Sequence, residues 1–389
     1  MTQSERRRVI LVGGGHAHLH VAAHARRFDE PGAEVVLVDP EDFWYSGMAP
    51  GVIGERYPPE ASRVDLGRLA TRAGFRYVRD RVVGVDPGLS TVRLERGGEL
   101  PYDALSLDVG SVVTGAGIAG ADHAIRAKPI RGLLWIREFL ADPPGPVIVV
   151  GGGATGCEIA ANLAARPGRP ATEAGPAGGA PDAGGARVIL VSTGGRLLDD
   201  LPAAAGRRAA RRLGALGVEV RLGTRVVAVA VRTAEDGRPG TTVTLEEGGE
   251  LRGSETVLAT GLAAPAWIGE QGLPTGPDGG LAVDGSLRAA GLARVFGAGD
   301  CIDFGPRSLP KLGVYAVREA PVLLENLLAT LAGRPLRAYR PQRRALRILN
   351  LSDGTALAVW GGLAWMGRGT MAWKEWLDRR FVAEYAGAE

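Results

Sequence analysis

Residues 147–158 read VIVVGGGATGCE, and the reading of this stretch decides the fold. Val147, Ile148, Val149 and Val150 are an apolar, β-branched run that predicts a buried strand. The run stops at Gly151, Gly153 and Gly156, a complete G-x-G-x-x-G, and a helical pattern follows over Cys157 to Ala165. Strand, glycine turn and helix start make a cradle for a pyrophosphate. The glycines let the backbone approach the phosphates, and the helix N-terminus offers free N–H groups and a positive dipole end. A near-identical element opens the chain as VILVGGGHAHLH, residues 9–20. Two such cradles about 140 residues apart predict two nucleotides, a flavin and a nicotinamide.

Composition sets the outer bounds. A chain of 389 residues, 45% hydrophobic and 23% charged, is globular and long enough for two or three domains. The net charge is +3, and lysine occurs only at Lys128, Lys311 and Lys374. Arginine carries the remaining positive charge without a basic stripe of interleaved aromatics, so no nucleic-acid partner is expected. Cys157 and Cys301 have no paired spacing, which excludes a disulfide scaffold, a CxxC zinc site and a CxxxxC redox pair. The apolar run after Arg6 to Arg8 is too short for a signal peptide, and no run of about 18 apolar residues occurs. A cytoplasmic enzyme is the default.

Around the first cradle, a helix is expected to about Phe28 and a strand over Ala33 to Val38 that ends at Asp39. An acid at that spacing accepts hydrogen bonds from a ribose. His18 stands where the third glycine would be, which costs close helix–strand packing. His16, His20 and His24 fall on one helix face; they read as polar rings bonding backbone or cofactor, with a metal site the less favoured alternative. FWYSGMAPGVIG, residues 43–54, fits a wall against a flat ring system or a plain apolar connection. Val64 to Ala73 reads as a helix. Phe75 to Val85 and Thr91 to Leu94 read as strands, and Asp103 to Asp108 as a buried one ending in DVGS.

Beyond it, Ile130 to Leu140 has helical period. Residues 167–186 are rich in Pro, Gly and Ala and read as a mobile surface insertion. The strand Arg187 to Val191 ends without an acid, with Arg196 nearby; this favours a 2′-phosphate unless Arg196 only caps its loop, and the donor stays NAD(P)H. Leu201 to Leu216 is a helix with a basic outer face. Val218 to Leu222, Arg225 to Val231, Thr241 to Leu245 and Thr256 to Ala259 are strands, the last ending in ATG. GAGD, Gly297 to Asp300, puts a carboxylate at a strand end before the helix Lys311 to Leu331. Ala345 to Leu351 and Thr355 to Trp360 alternate like antiparallel strands. A final helix, Thr370 to Tyr385, is expected to carry Trp373, Trp376, Leu377, Phe381 and Tyr385 on one face.

The order of motifs, GGG, GGGxxG, ATG and then GAGD before a helix, resembles the two-dinucleotide-fold flavoproteins, the pyridine nucleotide–disulfide oxidoreductases. VGGGHAHLHV, YSGMAPG, KPI at Lys128 to Ile130 and DRRF at Asp378 to Phe381 look like type II NADH dehydrogenases, sulfide:quinone reductases and the flavoprotein module fused to selenide, water dikinase. The resemblance implies an α/β fold of two Rossmann-like doubly wound domains, with a small C-terminal α+β domain. The FAD domain would be discontinuous over 1–125 and 263–335, the NAD(P) domain would take 126–262, and the C-terminal domain 336–389.

The resemblance also implies the site. Gly13, Gly14, Gly15, His16, Ala17, His18 and Asp39 would hold the ADP half of FAD. Tyr45, Gly47, Met48, Val83, Asp108 and Gly110 would line its path, and Gly299, Asp300, Lys311, Gly313 and Val314 its ribityl and pyrimidine end. Gly151, Gly153 and Gly156 would take NAD(P)H, with Glu158 and Lys128 as catalytic residues and no metal. The implied reaction passes hydride from NAD(P)H to FAD and electrons on to a quinone-like acceptor. A flavin-loaded accessory module linked to selenium metabolism and a sulfide:quinone reductase remain the alternatives. Peripheral contact with the inner face of the cell membrane through the last helix, and a monomer or homodimer, are the partner expectations.

Overall fold

The computed structural model describes residues 6–130, 132, 136–137, 143, 145–166, 186–233 and 237–387. The proposed insertion at 167–186 falls almost wholly outside the described residues, as does most of the helix expected over Ile130 to Leu140.

Two five-stranded parallel sheets carry the molecule. The first runs in the order Val295–Gly297, Ala104–Leu107, Arg7–Val12, Ala33–Val38, Arg76–Val78. The second runs Ile125–Arg126, Glu255–Leu258, Val147–Val150, Val188–Val191, Glu219–Arg221. In both, the strand that leads into the glycine turn is central. Val147–Val150 and Val188–Val191 are buried at every position, because strands covered on both faces need continuous apolar sequence rather than alternation. The first sheet is closed by a strand from residue 295 onward, so it draws on two separated stretches of chain.

The two halves repeat each other further. Each carries a three-stranded antiparallel meander beside its sheet, Val82–Asp86 with Thr91–Leu94 and Glu99–Pro101, and Val226–Thr233 with Pro239–Leu245 and Glu250–Gly253. Helix His16–Ala23 packs on the 19-residue helix Gly313–Leu331, and both lie against the first sheet. The C-terminal part is a three-stranded antiparallel sheet, Arg347–Asn350, Ala356–Trp360 and Leu363–Gly367, followed by helix Arg368–Ala386.

Three expectations need correction. Phe75 to Val85 is two strands, Arg76–Val78 and Val82–Asp86, because the chain turns at Asp80, whose carboxylate accepts the Arg81 N–H. Leu363–Gly367 is a strand absent from the reading; the Gly361-Gly362 pair that joins it to Trp360 is a hairpin turn. The last helix does not gather its aromatics on one face. Met371, Lys374, Asp378, Val382 and Tyr385 point inward, while Trp373 and Trp376 are 40% and 55% exposed.

Gly156 shows how tightly the second turn is built. A Cβ there would overlap the Gly151 carbonyl oxygen, which is backbone and cannot swing aside, whereas one on Gly153 would meet nothing within 4 Å. Gly156→Ala is expected to destabilise the protein by about 2–3 kcal/mol and Gly153→Ala by less than about 1 kcal/mol. Urea-unfolding midpoints of the two variants measure the difference.

Candidate FAD and nicotinamide sites

A cavity of about 570 Å³ opens at the carboxyl ends of the first sheet's strands, the usual crevice for a ligand in such a sheet and within the roughly 300–1,000 Å³ of cofactor sites. Its floor is Gly13, Gly14, Gly15 and His16. Gly13 has φ +87°, and a Cβ there would lie 2.5 Å from the Asp108 carbonyl oxygen, so only glycine lets the turn pass under the neighbouring strand. Asp39 reaches back across the turn. Its Oδ2 accepts the Gly14 N–H at 2.7 Å and its Oδ1 the Glu41 N–H at 2.8 Å. Burial raises its pKa against those donors. Val83, Asp108 and Gly110 also line the cavity.

The opposite wall carries an ion pair. Asp300 Oδ2 accepts from Lys128 Nζ at 2.7 Å and from Ser111 Oγ at 2.8 Å. Burial is the largest influence and opposes its ionisation, but the Lys128 charge together with the Lys128 and Ser111 hydrogen bonds outweighs it and holds the carboxyl below its ordinary value. Gly313, at the start of the long helix, packs against the His16 ring. His16 stands edge-on to Phe43, with ring centres 5.0 Å apart. Burial depresses its pKa to about 4, with Lys128 adding to the effect, so the ring is neutral. Trp267 lines the cavity too, and its indole N–H is buried with no acceptor among the described residues. Glycine floor, carboxylate at the second strand end, and unpartnered donor together fit a long phosphate-bearing cofactor such as FAD.

Several expected contacts are elsewhere. Ala17 is fully buried and its N–H bonds Asp108. His18 points into the interior, with Nδ1 2.7 Å from the Gly13 oxygen and Nε2 2.8 Å from Ser106 Oγ. Both ring nitrogens are satisfied between helix and sheet, so His18 replaces the third glycine as a structural brace. Gly299 donates its N–H to Glu319 Oε2 at 2.7 Å. Lys311 holds the Asp300 carbonyl oxygen at 2.7 Å and Asp278 at 2.9 Å. Neither these two residues nor Val314 forms part of the cavity wall.

Tyr45, Gly47 and Met48 also leave the cavity wall; Phe43, Trp44 and Ser46 take their place. Met48 is core. Tyr45 stacks on Phe381 of the last helix at 4.6 Å. Gly47 offers its carbonyl to Lys374 Nζ at 2.5 Å, and Lys374 also donates to Asp378 Oδ2 at 2.6 Å. The Lys374–Asp378 pair is nearly solvent-free, and Glu158 belongs to the same interior. Glu158 Oε1 accepts the Asn350 N–H at 2.7 Å; burial lifts its pKa to about 7, with the Lys374 charge opposing. Lys374, Asp378 and Asn350 escaped the sequence reading. The available signal was a lysine and an aspartate four residues apart inside an otherwise apolar helix stripe.

The second cradle has the expected form. Gly151, at φ +126°, passes under the Ala259 carbonyl, and Gly153 caps helix Ala154–Ala164. Arg196 gives no hint of a 2′-phosphate. Its guanidinium donates to the carbonyls of Leu198, Asp199 and Leu201 at 2.6–2.8 Å, holding its own loop. Cys157 and Cys301 are buried, and burial pushes the Cys157 thiol up to about 12 and the Cys301 thiol higher still. Neither is a nucleophile. Of the histidine row, His20 and His24 stack on each other at 4.3 Å while His16 turns to the cavity. Among the described residues no three His, Cys, Asp or Glu gather closely enough to hold a metal ion.

The chain is similar to several known proteins in sequence and in fold. NADH dehydrogenase-like protein Rv1812c of Mycobacterium tuberculosis is 31% identical over 75% of this chain and 72% of its own length. Demethylphylloquinone reductase NdbB of Synechocystis is 25% identical over 92% of this chain and 87% of its own. The sulfide:quinone oxidoreductase structure from Aquifex aeolicus shares the fold, with a TM-score of 0.75 at 16% identity over 98% of this chain and 92% of that one. A family model matches residues 7–320, which take in both cradles, the ATG turn and GAGD. The chain belongs to the pyridine nucleotide-disulphide oxidoreductase family.

Proposed function

We propose that the protein oxidises NAD(P)H through FAD and delivers the electrons to a quinone. The observation that carries this is the pair of glycine cradles on two like sheets, joined by a buried carboxyl–lysine cluster. The relatives' names point the same way: one is NADH dehydrogenase-like and another a demethylphylloquinone reductase.

FAD, once bound, supplies the hydride and electron transfer; the chain supplies placement and proton handling. Gly13 to Gly15 and Asp39 hold the ADP half of the flavin, and Gly151 to Gly156 hold the nicotinamide nucleotide. The Lys128–Asp300 ion pair keeps a fixed dipole at the flavin end of the cavity, and neutral His16 closes that end without adding a charge. Reducing a quinone by two electrons consumes two protons. Glu158, with a pKa near 7, is poised to give one up at its carboxyl oxygen. Burial sets that value, with the Lys374 charge and the Asn350 N–H opposing it and the Asp378 charge adding to it.

The outer surface suits a lipid quinone. Trp360, Leu363, Trp365, Met366, Trp373 and Trp376 are all exposed. Arg380 lies over the Trp376 ring, and the same helix carries Arg368 and Arg379. Exposed tryptophans among arginines suit the headgroup region of an anionic membrane. No helix among the described residues is long and apolar enough to cross one.

Two measurements test the reading. Anaerobic mixing with NADH and with NADPH is expected to bleach the flavin with at least one donor, and a soluble ubiquinone analogue to restore its colour. In Glu158→Gln, quinone-dependent turnover is expected to fall about a hundredfold with donor bleaching retained. Wild-type turnover should decline as pH rises through about 7, where Glu158 loses its proton, and that decline should vanish in the variant. Separately, phosphatidylglycerol vesicles are expected to carry the wild type to the top of a flotation gradient and to leave Trp373→Ala/Trp376→Ala behind, with soluble-quinone activity unchanged.

A further inference from the structure

The residue after strand Ala104–Leu107 is an aspartate where the other sheet has Ala259. Asp108 is only 3% exposed, at the cavity edge, and its Oδ2 accepts the Ala17 N–H at 2.8 Å and the His18 N–H at 3.3 Å. These are donors at the N-terminus of helix His16–Ala23, the helix whose positive end would face the cofactor's diphosphate. Gly15 runs so close that a Cβ there would overlap the Asp108 carboxyl group. A second enclosed carboxyl stands behind. Glu319 Oε2 accepts the Gly299 N–H, and a Cβ on Gly299 would lie 2.5 Å from Asp108 Oδ1, so Gly299 is wedged against both. Among the described residues, neither carboxyl forms an ion pair with lysine or arginine.

We propose that Asp108, backed by Glu319, makes FAD binding proton-linked: the diphosphate is held firmly only while this carboxyl pair keeps its proton. The linkage is electrostatic and rests on the FAD reading of the cavity. A carboxylate already uses two helix-start donors, and a diphosphate brings about two more negative charges to the same floor. Like charges at such separation in an enclosed site favour the neutral acid. Burial already pushes Asp108 to about 7 and Glu319 to about 8, with Asp300 adding to both. Anionic cofactor raises those values further, so binding takes up a proton, and affinity falls as pH rises past the value of the free protein.

The other groups facing Asp108 do not supply this proton. His16 and His18, on the helix, are depressed to about 4 by burial and stay neutral. The Cys301 thiol is pushed far up, and Asp300 is kept ionised by Lys128. Lys311 reaches only the Asp300 carbonyl and Asp278. Asp39, at the end of the second strand, is raised by burial and is the competing source that the variants separate.

The test follows flavin release. Holoenzyme is diluted at intervals between about pH 6 and pH 9, and the Kd of FAD is read from the recovery of flavin fluorescence. The wild-type Kd is expected to rise towards about tenfold per pH unit above about pH 7. Asp108→Asn keeps an acceptor for both N–H groups and removes the charge; its Kd should be flat over the range and tighter than wild type at the alkaline end. Independently of any variant, mixing FAD with wild-type apoprotein in weakly buffered solution near neutral pH should raise the pH of an indicator dye. An equal slope in wild type and Asp108→Asn, or no proton uptake in the wild type, overturns the proposal. Failure to bind FAD at any pH overturns instead the reading of the cavity.

Discussion

The structure depends on one close approach made twice: a buried parallel strand ends, and the next helix begins almost on top of its neighbour. In the second sheet, Gly156 sits against the Gly151 carbonyl and Gly151 against Ala259. In the first, Gly13 slides under Asp108. Backbone replaces side chain at each crossing, which brings helix-start N–H groups to the sheet edge; in the first cradle Asp108 accepts those of Ala17 and His18. A positive, donor-rich edge beside an apolar cleft suits a phosphorylated cofactor. The turns are therefore both close backbone crossings and the places where a phosphorylated cofactor would bind.

The two copies solve the third position differently. Gly156 needs no partner. His18 fills the same place in the first copy with a ring that bridges the Gly13 carbonyl and Ser106. The loss expected from a bulky residue there is offset by two buried hydrogen bonds, each contributing about 1 kcal/mol. The same economy appears at Asp108, which caps its helix from the neighbouring strand. Titratable side chains stitch the first cradle, whereas the second relies on backbone and the Cys157 thiol, so charge and protonation matter more in the first.

The C-terminal part ties the halves together. Its strand Arg347–Asn350 gives the Asn350 N–H to Glu158, and its helix sends Lys374 to Gly47 and Asp378. A charged pair this enclosed is seldom retained for stability alone, since desolvation offsets most of its attraction. The pair lies between the start of helix Ala154–Ala164 and the aromatic group of His16, Tyr45 and Phe381.

Both central strands, both glycine turns, the carboxylate at Asp39 and the GAGD loop were legible in the sequence, because local chemistry alone prescribes them: β-branched runs bury, and glycine admits a positive φ. The C-terminal helix was legible as a helix but not in its facing. Its aromatics suggested one apolar side, whereas packing turned Trp373 and Trp376 outward and drew Lys374 and Asp378 in. What only the tertiary structure decided are the long-range meetings: His18 with Ser106, Asp108 with the first helix, Tyr45 with Phe381, Glu158 with Asn350 and Lys374. Those pairings join residues 88 to 336 positions apart. No local pattern encodes them, because a side chain's partner and its charge state depend on which surfaces the folded chain brings together and how completely they shut out water.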